Sequence, residues 1–375
     1  MVKRKKMLKV AILGSRGIPA RYSGYDTLVE ELSRGLIISK KARVLVYCRN
    51  SYYKKRPANL NGIQLIYLPA PRIKAVESLL HSFLSSVHVL GKNVDIVYFV
   101  DPANAPFCIL LRLFGKRVLI HTDGLGWKRR KWGFWARKYY KFVEWLCVRV
   151  ATGLVTDNPE MKKYYLREYN AESTYIPYGA KHHAGEDESI YEELDIVPEK
   201  YFLVVARLER ENNTDFIIKE YSKAGINMPL IVVGDAPYDS GYMKTLRQIS
   251  NKGVRFTGRI NNQAKLNALY KGAYIYIHGH EVGGTNPSLL RAMNFGTAPV
   301  VINAAFNKSV IGECGIAFEH KNGLLSRCLE DLAGDKDYVK KIGNAAKKRA
   351  DSDFNWESVV NKHAKLFVKT AKCDS

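Results

Sequence analysis

Short apolar runs alternate with helix-patterned stretches along almost the whole chain. KVAILG (9–14) precedes a helical pattern near 24–38. ARVLVYC (42–48), IQLIYLP (63–69), a second helical pattern near 76–91, DIVYFV (95–100), RVLIHT (117–122) and GLVTD (153–157) continue the series. The rhythm restarts with YFLVVA (201–206), PLIVVG (229–234), VRFTG (254–258), YIYIHG (274–279) and APVVI (298–302). A strand that is apolar at every position has both faces buried, and parallel sheets covered by helices provide that burial. Two such series in 375 residues predict two doubly wound, Rossmann-like α/β domains. Pro, Gly and charge interrupt the pattern at YIPYGAKHHAGEDES (175–189), which sets the expected domains at 1–178 and 179–355, with a last helical segment over 356–375. Ligands of such sheets bind outside the carboxyl ends of the strands, so the loops there carry most of the functional reading.

The longest apolar runs, such as residues 107–114, are too short to span a bilayer. The beginning, MVKRKKMLKVAILG, has the look of a signal peptide, but Gly14, Arg16 and Pro19 break it and no small-residue cleavage site follows. It reads as a basic tail entering a first strand. The six cysteines (48, 108, 147, 314, 328 and 373) show no metal-ligand spacing, so a reduced cytoplasm is expected rather than a disulfide framework. A net charge of +23 favours a polyanionic partner, either nucleic acid, an anionic membrane or a phosphorylated substrate, over an unpartnered basic surface.

Five loops are candidates for chemistry. In GSRGIPARYSGYDTLVEEL (14–32), Gly14 and Gly17 follow the first strand and can bring backbone amides to a ligand. The spacing is not GxGxxG, which disfavours a dinucleotide cofactor. Arg16, Arg21 and Tyr22 either meet an anionic acceptor or lie solvated on a long loop. In HTDGLGWKRRKWGFWARKYYKFVEWL (121–146), Asp123 lies just beyond a strand; it either positions an acceptor hydroxyl or caps the next turn. Trp127 and Lys128 follow it. Arg129, Arg130, Lys131, Trp132 and Trp135 then interleave cations with indoles, a composition suited to an anionic membrane surface. Stacking on single-stranded nucleic acid and a packed helix with a basic face are the competing readings of that segment. In VVARLERENN (204–213), Arg207 leaves a strand end and either clamps a diphosphate or pairs with Glu209, with Asn212 close behind. In VGDAPYDSGY (233–242), Gly234 and Asp235 make a tight turn near a base or ribose, or only a turn. In HGHEVGGTNPSLLRAMNFG (278–296), Gly283, Gly284 and Thr285 lead to Asn286 as N-cap and Pro287 as first helical residue. A capped helix start behind a glycine loop offers free amides and a positive dipole end to a phosphate; a plain strand-to-helix turn is the alternative.

Taken in order, GSRGIPARYSGYDTLVEEL, DGLGWKRRKW, ARLERENN, VGDAPY, the HGH–VGGTNPSLL–AM frame and AFNKSVIGECG (305–315) resemble a bacterial rhamnosyltransferase-like group within the GT-B glycosyltransferases, related to family 4. The resemblance implies two Rossmann-like domains facing a cleft. It implies a nucleotide-sugar donor, dTDP-rhamnose, on the C-terminal domain. Gly14, Gly17, Arg207, Asn212, Gly234, Asp235, Gly283, Gly284, Thr285, Asn286 and Arg291 occupy the donor positions. The acceptor, a saccharide either free or carried on a polyprenyl diphosphate, falls to Arg16, Arg21, Tyr22, Asp123, Trp127 and Lys128 of the N-terminal domain at the inner face of the cell membrane. The helix at 356–371 is expected to return to that domain. Asp123 and Arg207 are the expected catalytic groups, with retention of anomeric configuration. No cofactor or bound metal is expected, since cations and a helix dipole meet the leaving diphosphate. Nucleic acid is not an expected partner.

Three positions depart from the group or its broader pattern. It carries Glu directly before Ala-Met, where the carboxylate accepts from ribose hydroxyls; this chain has Arg291, which has no acceptor. The earlier glutamate of the E-x7-E pattern falls at Gly283, and Glu281 is out of register. Gly126 stands where Asp-Gly-Leu-Glu-Trp-Lys-Arg is expected. These losses motivate a second reading, a catalytically impaired relative that serves as a binding or scaffolding partner in polysaccharide assembly.

Overall fold

The computed structural model describes residues 7–20, 24–71, 73, 76–129, 133–180, 185–236 and 240–372. Two compact units make up the chain: Met1–Trp127, Trp132–Tyr178 and Trp356–Ser375 form the first, and Lys128–Lys131 with Gly179–Asn355 form the second.

The first unit is built on β1 (Leu8–Leu13), β2 (Ala42–Arg49), β3 (Asn59–Leu60), β4 (Ile63–Leu68), β5 (Ile96–Val100), β6 (Val118–Thr122), β7 (Gly153–Thr156) and β8 (Ser173–Tyr175). They form one sheet in the order β3-β4-β2-β1-β5-β6-β7-β8, parallel except for β3. Val10, Ile12, Val97, Phe99 and Ile120 are fully buried, as strands covered on both faces require. The connecting helices are α1 (Gly24–Ile38), α2 (Glu77–Leu90), α3 (Ala105–Leu113), α4 (Phe134–Val150) and α5 (Pro159–Tyr169). From β4 onward the chain moves steadily one way along the sheet, so right-handed crossovers put α2, α3 and α4 side by side on one face. The last helix of the chain, α14 (Trp356–Lys372), packs against α1. Gly35 permits that approach, because a Cβ there would lie 2.3 Å from Val360 Cγ2.

The second unit contains β9 (Phe202–Val205), β10 (Leu230–Val233), β11 (Val254–Gly258), β12 (Ile275–His278), β13 (Ala298–Ile302) and β14 (Ile316–Phe318), all parallel in the order β11-β10-β9-β12-β13-β14. Its helices are α6 (Ser189–Glu193), α7 (Thr214–Lys223), α8 (Ser240–Gln248), α9 (Gln263–Gly272), α10 (Pro287–Phe295), α11 (Ala305–Ile311), α12 (Leu324–Gly334) and α13 (Lys336–Asp353). Phe202, Val204, Val232, Ile277 and Val300 are buried in the core of this sheet.

Both sheets are doubly wound, as the alternating apolar runs predict. Each has one place where the strand order reverses: between β1 and β5 in the first unit, and between β9 and β12 in the second. Neighbouring loops diverge at such a point and leave a crevice for a ligand.

Candidate active site

In the second unit, three strand-end loops lock together beside the β9/β12 reversal. The chain leaving β9 donates its Leu208 amide to the Asp235 carbonyl (2.8 Å), which ties it to the loop after β10. Asn213 donates its side-chain amide to the Gly279 carbonyl (2.9 Å), which ties it to the loop after β12. Gly234 and Gly279 are needed for these approaches. A Cβ on Gly234, whose φ is +143°, would lie 1.8 Å from the Ala206 carbonyl oxygen; one on Gly279 would lie 2.4 Å from that of Asn212.

Arg207 stands on this braced backbone. Asn212 is buried and donates its side-chain amide to the Arg207 carbonyl (2.6 Å), so its role here is to shape the loop. The Arg207 guanidinium is 3.6 Å from Glu209, yet its side chain keeps 38% of its surface exposed while Glu209 keeps 9%. The ion pair and an outward-facing cation therefore coexist.

The helix start after β12 has the geometry its sequence predicts. The Asn286 side chain accepts from the Ser288 amide (2.9 Å) and Pro287 follows at the first helical position. Gly283 has φ +155° with open space around it, Gly284 is half-buried and Thr285 is buried.

Sequence reasoning assigned no role to the two histidines ahead of this loop. His278 and His280 stack in parallel, with ring centroids 4.3 Å apart and planes at 11°. Tyr276 Oη lies 3.0 Å from His278 Nδ1. Burial pushes His278 down to about 3 and His280 well below the usual imidazole range, so both rings are neutral. The signal was in the sequence: H-x-H at a strand end puts both rings on one side.

Arg291 is turned elsewhere. Its Nε donates to Asn267 Oδ1 (2.9 Å), and its terminal nitrogens donate to Gln263 Oε1 (2.9 Å) and the Gln263 carbonyl (3.0 Å), all on α9. The guanidinium also lies over the Tyr270 ring at 5.3 Å. Only 6% of the residue is exposed, and burial lowers the guanidinium to about 10. The structure thus uses Arg291 to tie α10 to α9 and does not bring it among the loop residues.

In the first unit, Gly14 and Gly17 sit where the backbone packs closely, and the Gly17 amide is taken up within its own loop. A Cβ on Gly14 would meet the Val100 carbonyl oxygen at 2.3 Å, and one on Gly17 would meet Cys48 Sγ at 2.5 Å. These glycines let the loop pack on β5 and β2. The Arg16 amide donates to Asp26 Oδ1 (3.0 Å) and the Gly17 amide to Ser15 Oγ (3.1 Å). The Arg16 side chain lies over the Tyr52 ring at 5.4 Å and 4.0 Å from Asp26.

Asp123 leaves β6 half-buried and accepts a 2.7 Å hydrogen bond from Tyr25 Oη, at the start of α1. Burial and the Asp123 charge hold the Tyr25 phenol well above its usual range, so it donates. The neighbouring His121 is fully buried in a chain of hydrogen bonds. His363 of α14 donates from Nδ1 to the Val359 carbonyl (2.9 Å), so its Nε2 accepts from Tyr98 Oη (2.9 Å). Tyr98 then accepts from His121 Nδ1 (2.7 Å), which leaves His121 Nε2 as a bare acceptor. Burial keeps both imidazoles neutral, His363 at about 4 and His121 well below the usual range. Sequence reasoning missed this relay, because its members are 265 residues apart.

At Gly126 a Cβ would lie 2.7 Å from the Tyr140 ring, so an aromatic fills the space a glutamate stem would need. Lys141 lies over the Trp127 ring at 4.6 Å. Lys128 is exposed, Arg129 half-buried and Trp135 79% exposed. Arg21, Tyr22, Arg130, Lys131 and Trp132 lie outside the described residues.

Comparison with known proteins bears on the whole architecture. The chain is similar to sucrose-phosphate synthase from Thermosynechococcus elongatus, with 17% identity, a TM-score of 0.81, and coverage of 96% of this chain and 98% of that one. It is also similar to Anabaena HepE in complex with UDP and glucose (13% identity, TM-score 0.77, covering 96% and 100%). A glycosyltransferase from Rickettsia africae matches at 15% identity and a TM-score of 0.74, covering 99% and 100%. The fold is that of a GT-B glycosyltransferase. Within it, residues 187–349, which lie in the second unit, match the family model for glycosyl transferases group 1. Residues 7–181 match a domain of unknown function, DUF1972. Comparison with curated proteins finds no match.

Proposed function

We propose that this protein transfers a sugar from a nucleotide-sugar to a saccharide acceptor. The observation that carries the reading is the interlocked set of loops at the β9/β12 reversal. An exposed arginine and a capped helix start stand there, inside a domain matched to glycosyl transferases group 1. In this proposal Arg207 and the backbone N–H groups of residues 283–286 take the donor's diphosphate, where a planar guanidinium and N–H groups at a helix start meet the charge that grows on the leaving group. The turn at Gly234 and Asp235 approaches the base or ribose. The acceptor hydroxyl, oriented by the Asp123 carboxylate that Tyr25 holds, attacks the anomeric carbon on the face the diphosphate leaves; the bond to the diphosphate oxygen breaks, that oxygen takes the hydroxyl proton, and configuration is retained.

The similar structures solved with UDP and glucose or with UDP-glucose support a nucleotide-sugar donor. The ordered sequence words support dTDP-rhamnose as that donor. They also support a polyprenyl-diphosphate-linked acceptor, at the inner face of a bacterial cell membrane, in surface polysaccharide synthesis. No helix among the described residues is long and apolar enough to cross a membrane.

The test is a panel of nucleotide-sugars, read by thermal stabilisation and by slow donor hydrolysis. Stabilisation by one donor, lost in Arg207→Ala and kept in Arg291→Lys, is the expected result. No shift with any donor refutes the transferase reading and favours a scaffolding role.

A further inference from the structure

The outer face of α2, α3 and α4 is apolar, basic and without an exposed acid. α2 packs on α3 and α3 on α4, and the Phe83 and Phe107 rings meet at 6.2 Å across the first of these seams. On this face Phe83, Leu113, Phe114, Trp135, Phe142 and Trp145 are all exposed, with Leu113 at 78% and Phe114 at 65%. Burial in water-soluble folds removes such side chains from the surface, so a cluster of them marks a contact surface.

The charge pattern says what kind of contact. Trp135, Lys138, Phe142, Trp145 and Arg149 follow one another at helical spacing along one stripe of α4. Lys138 Nζ lies over the Phe134 ring at 4.6 Å, Arg149 lies over Trp145 at 4.1 Å, and Phe142 stacks on Trp145 at 5.8 Å. The three helices hold two carboxylates. Glu77 is largely buried and paired with Arg49, and Glu144 is buried under the Tyr164 and Tyr169 hydroxyls. Rings with cations beside them and no anions match a bilayer interface, where aromatics sit at headgroup depth and lysine or arginine reaches anionic phosphates. Protein interfaces, by contrast, are depleted of lysine at their centres.

We propose that this three-helix face lies flat on an anionic lipid bilayer and is the membrane-docking surface of the protein. It extends well beyond the aromatic-basic stretch around Trp127 to Trp135, since Leu113 ends α3, Phe114 caps it and Phe83 lies on α2. α4 begins just after the loop that carries Asp123, so docking holds that carboxylate near the headgroups, where a lipid-linked acceptor would present its sugar.

The experiment is flotation of the full chain with vesicles of phosphatidylglycerol and phosphatidylethanolamine, against pure phosphatidylcholine, without any nucleotide-sugar. The protein should float with the anionic vesicles only, and less as salt rises. Leu113→Asp with Phe114→Asp, and separately Trp135→Ala with Trp145→Ala, should each lower partitioning by about tenfold or more. These side chains are exposed, so thermal melts should show both variants folded. Unchanged flotation in both overturns the proposal. So does a variant that alters the oligomeric state on a sizing column while flotation stays the same, since the face then meets protein. Donor stabilisation is measured without lipid, so the two readings can fail separately.

Discussion

Replacing Arg291 with glutamate inserts a carboxylate where α9 now presents acceptors, with the Gln263 and Asn267 amide donors turned to the Asn261 and Gly185 carbonyls. Gln263 Oε1, the Gln263 carbonyl and Asn267 Oδ1 now accept from the guanidinium. Asn267 cannot simply flip its amide to greet an anion, because its Nδ2 already donates to the Gly185 carbonyl (3.0 Å). The change therefore removes charge-assisted bonds of about 1.5–3 kcal/mol each and leaves a buried charge facing oxygen. Partial relaxation brings the expected cost to about 3–5 kcal/mol, the range for breaking a buried charged network. For a unit of this size that lowers the melting temperature by on the order of 10 °C. Arg291→Met keeps an apolar stem over Tyr270 and removes the donors without adding charge; its cost is smaller, about 2–3 kcal/mol. Differential scanning calorimetry is the assay, because all five tryptophans belong to the first unit and their fluorescence reports chiefly on it. Glutamate tolerated at wild-type stability, or better than methionine, would refute the α9 anchor. If Arg291→Glu also tightened donor binding, position 291 would face the nucleotide after all.

Two further outcomes follow from buried histidines. Tyr98→Phe leaves His121 Nδ1–H and His363 Nε2 without partners, and should cost about 2–4 kcal/mol in urea unfolding followed by tryptophan fluorescence; an unchanged midpoint would mean the relay is not formed. His278 and His363, held by burial at about 3 and about 4, take up protons in the unfolded chain first. Their stabilising contribution is complete above about pH 6.5 and falls by about 1.4 kcal/mol for each histidine per pH unit below that, until the folded-state value is reached. Urea midpoints that stay level from neutral pH down to about pH 5 would contradict neutral burial.

The alternation of apolar runs with helical periods was enough to read two doubly wound sheets, because strand and helix periods are local properties of sequence. The cap at Asn286 and Pro287 was legible for the same reason: a cap is completed within three residues. The placement of Arg207 at a strand end followed from the run before it. What local pattern could not decide was which groups were already occupied. The amides of Arg16 and Gly17 look open in a glycine loop, yet Asp26 and Ser15 take them. Arg291 stands one turn into a phosphate-suited helix, yet α9, from more than twenty residues earlier, claims its guanidinium. His121 reads as a strand residue, yet α14 fixes its tautomer through Tyr98. The apolar face of α2, α3 and α4 is spread over three separate helices, and only the α4 part of it was legible as an aromatic-basic stretch. Sequence therefore determined the elements and the loops that could hold chemistry. Tertiary structure decided which donors, acceptors and rings remain available, since hydrogen-bond capacity is finite and its claimants come from distant parts of the chain.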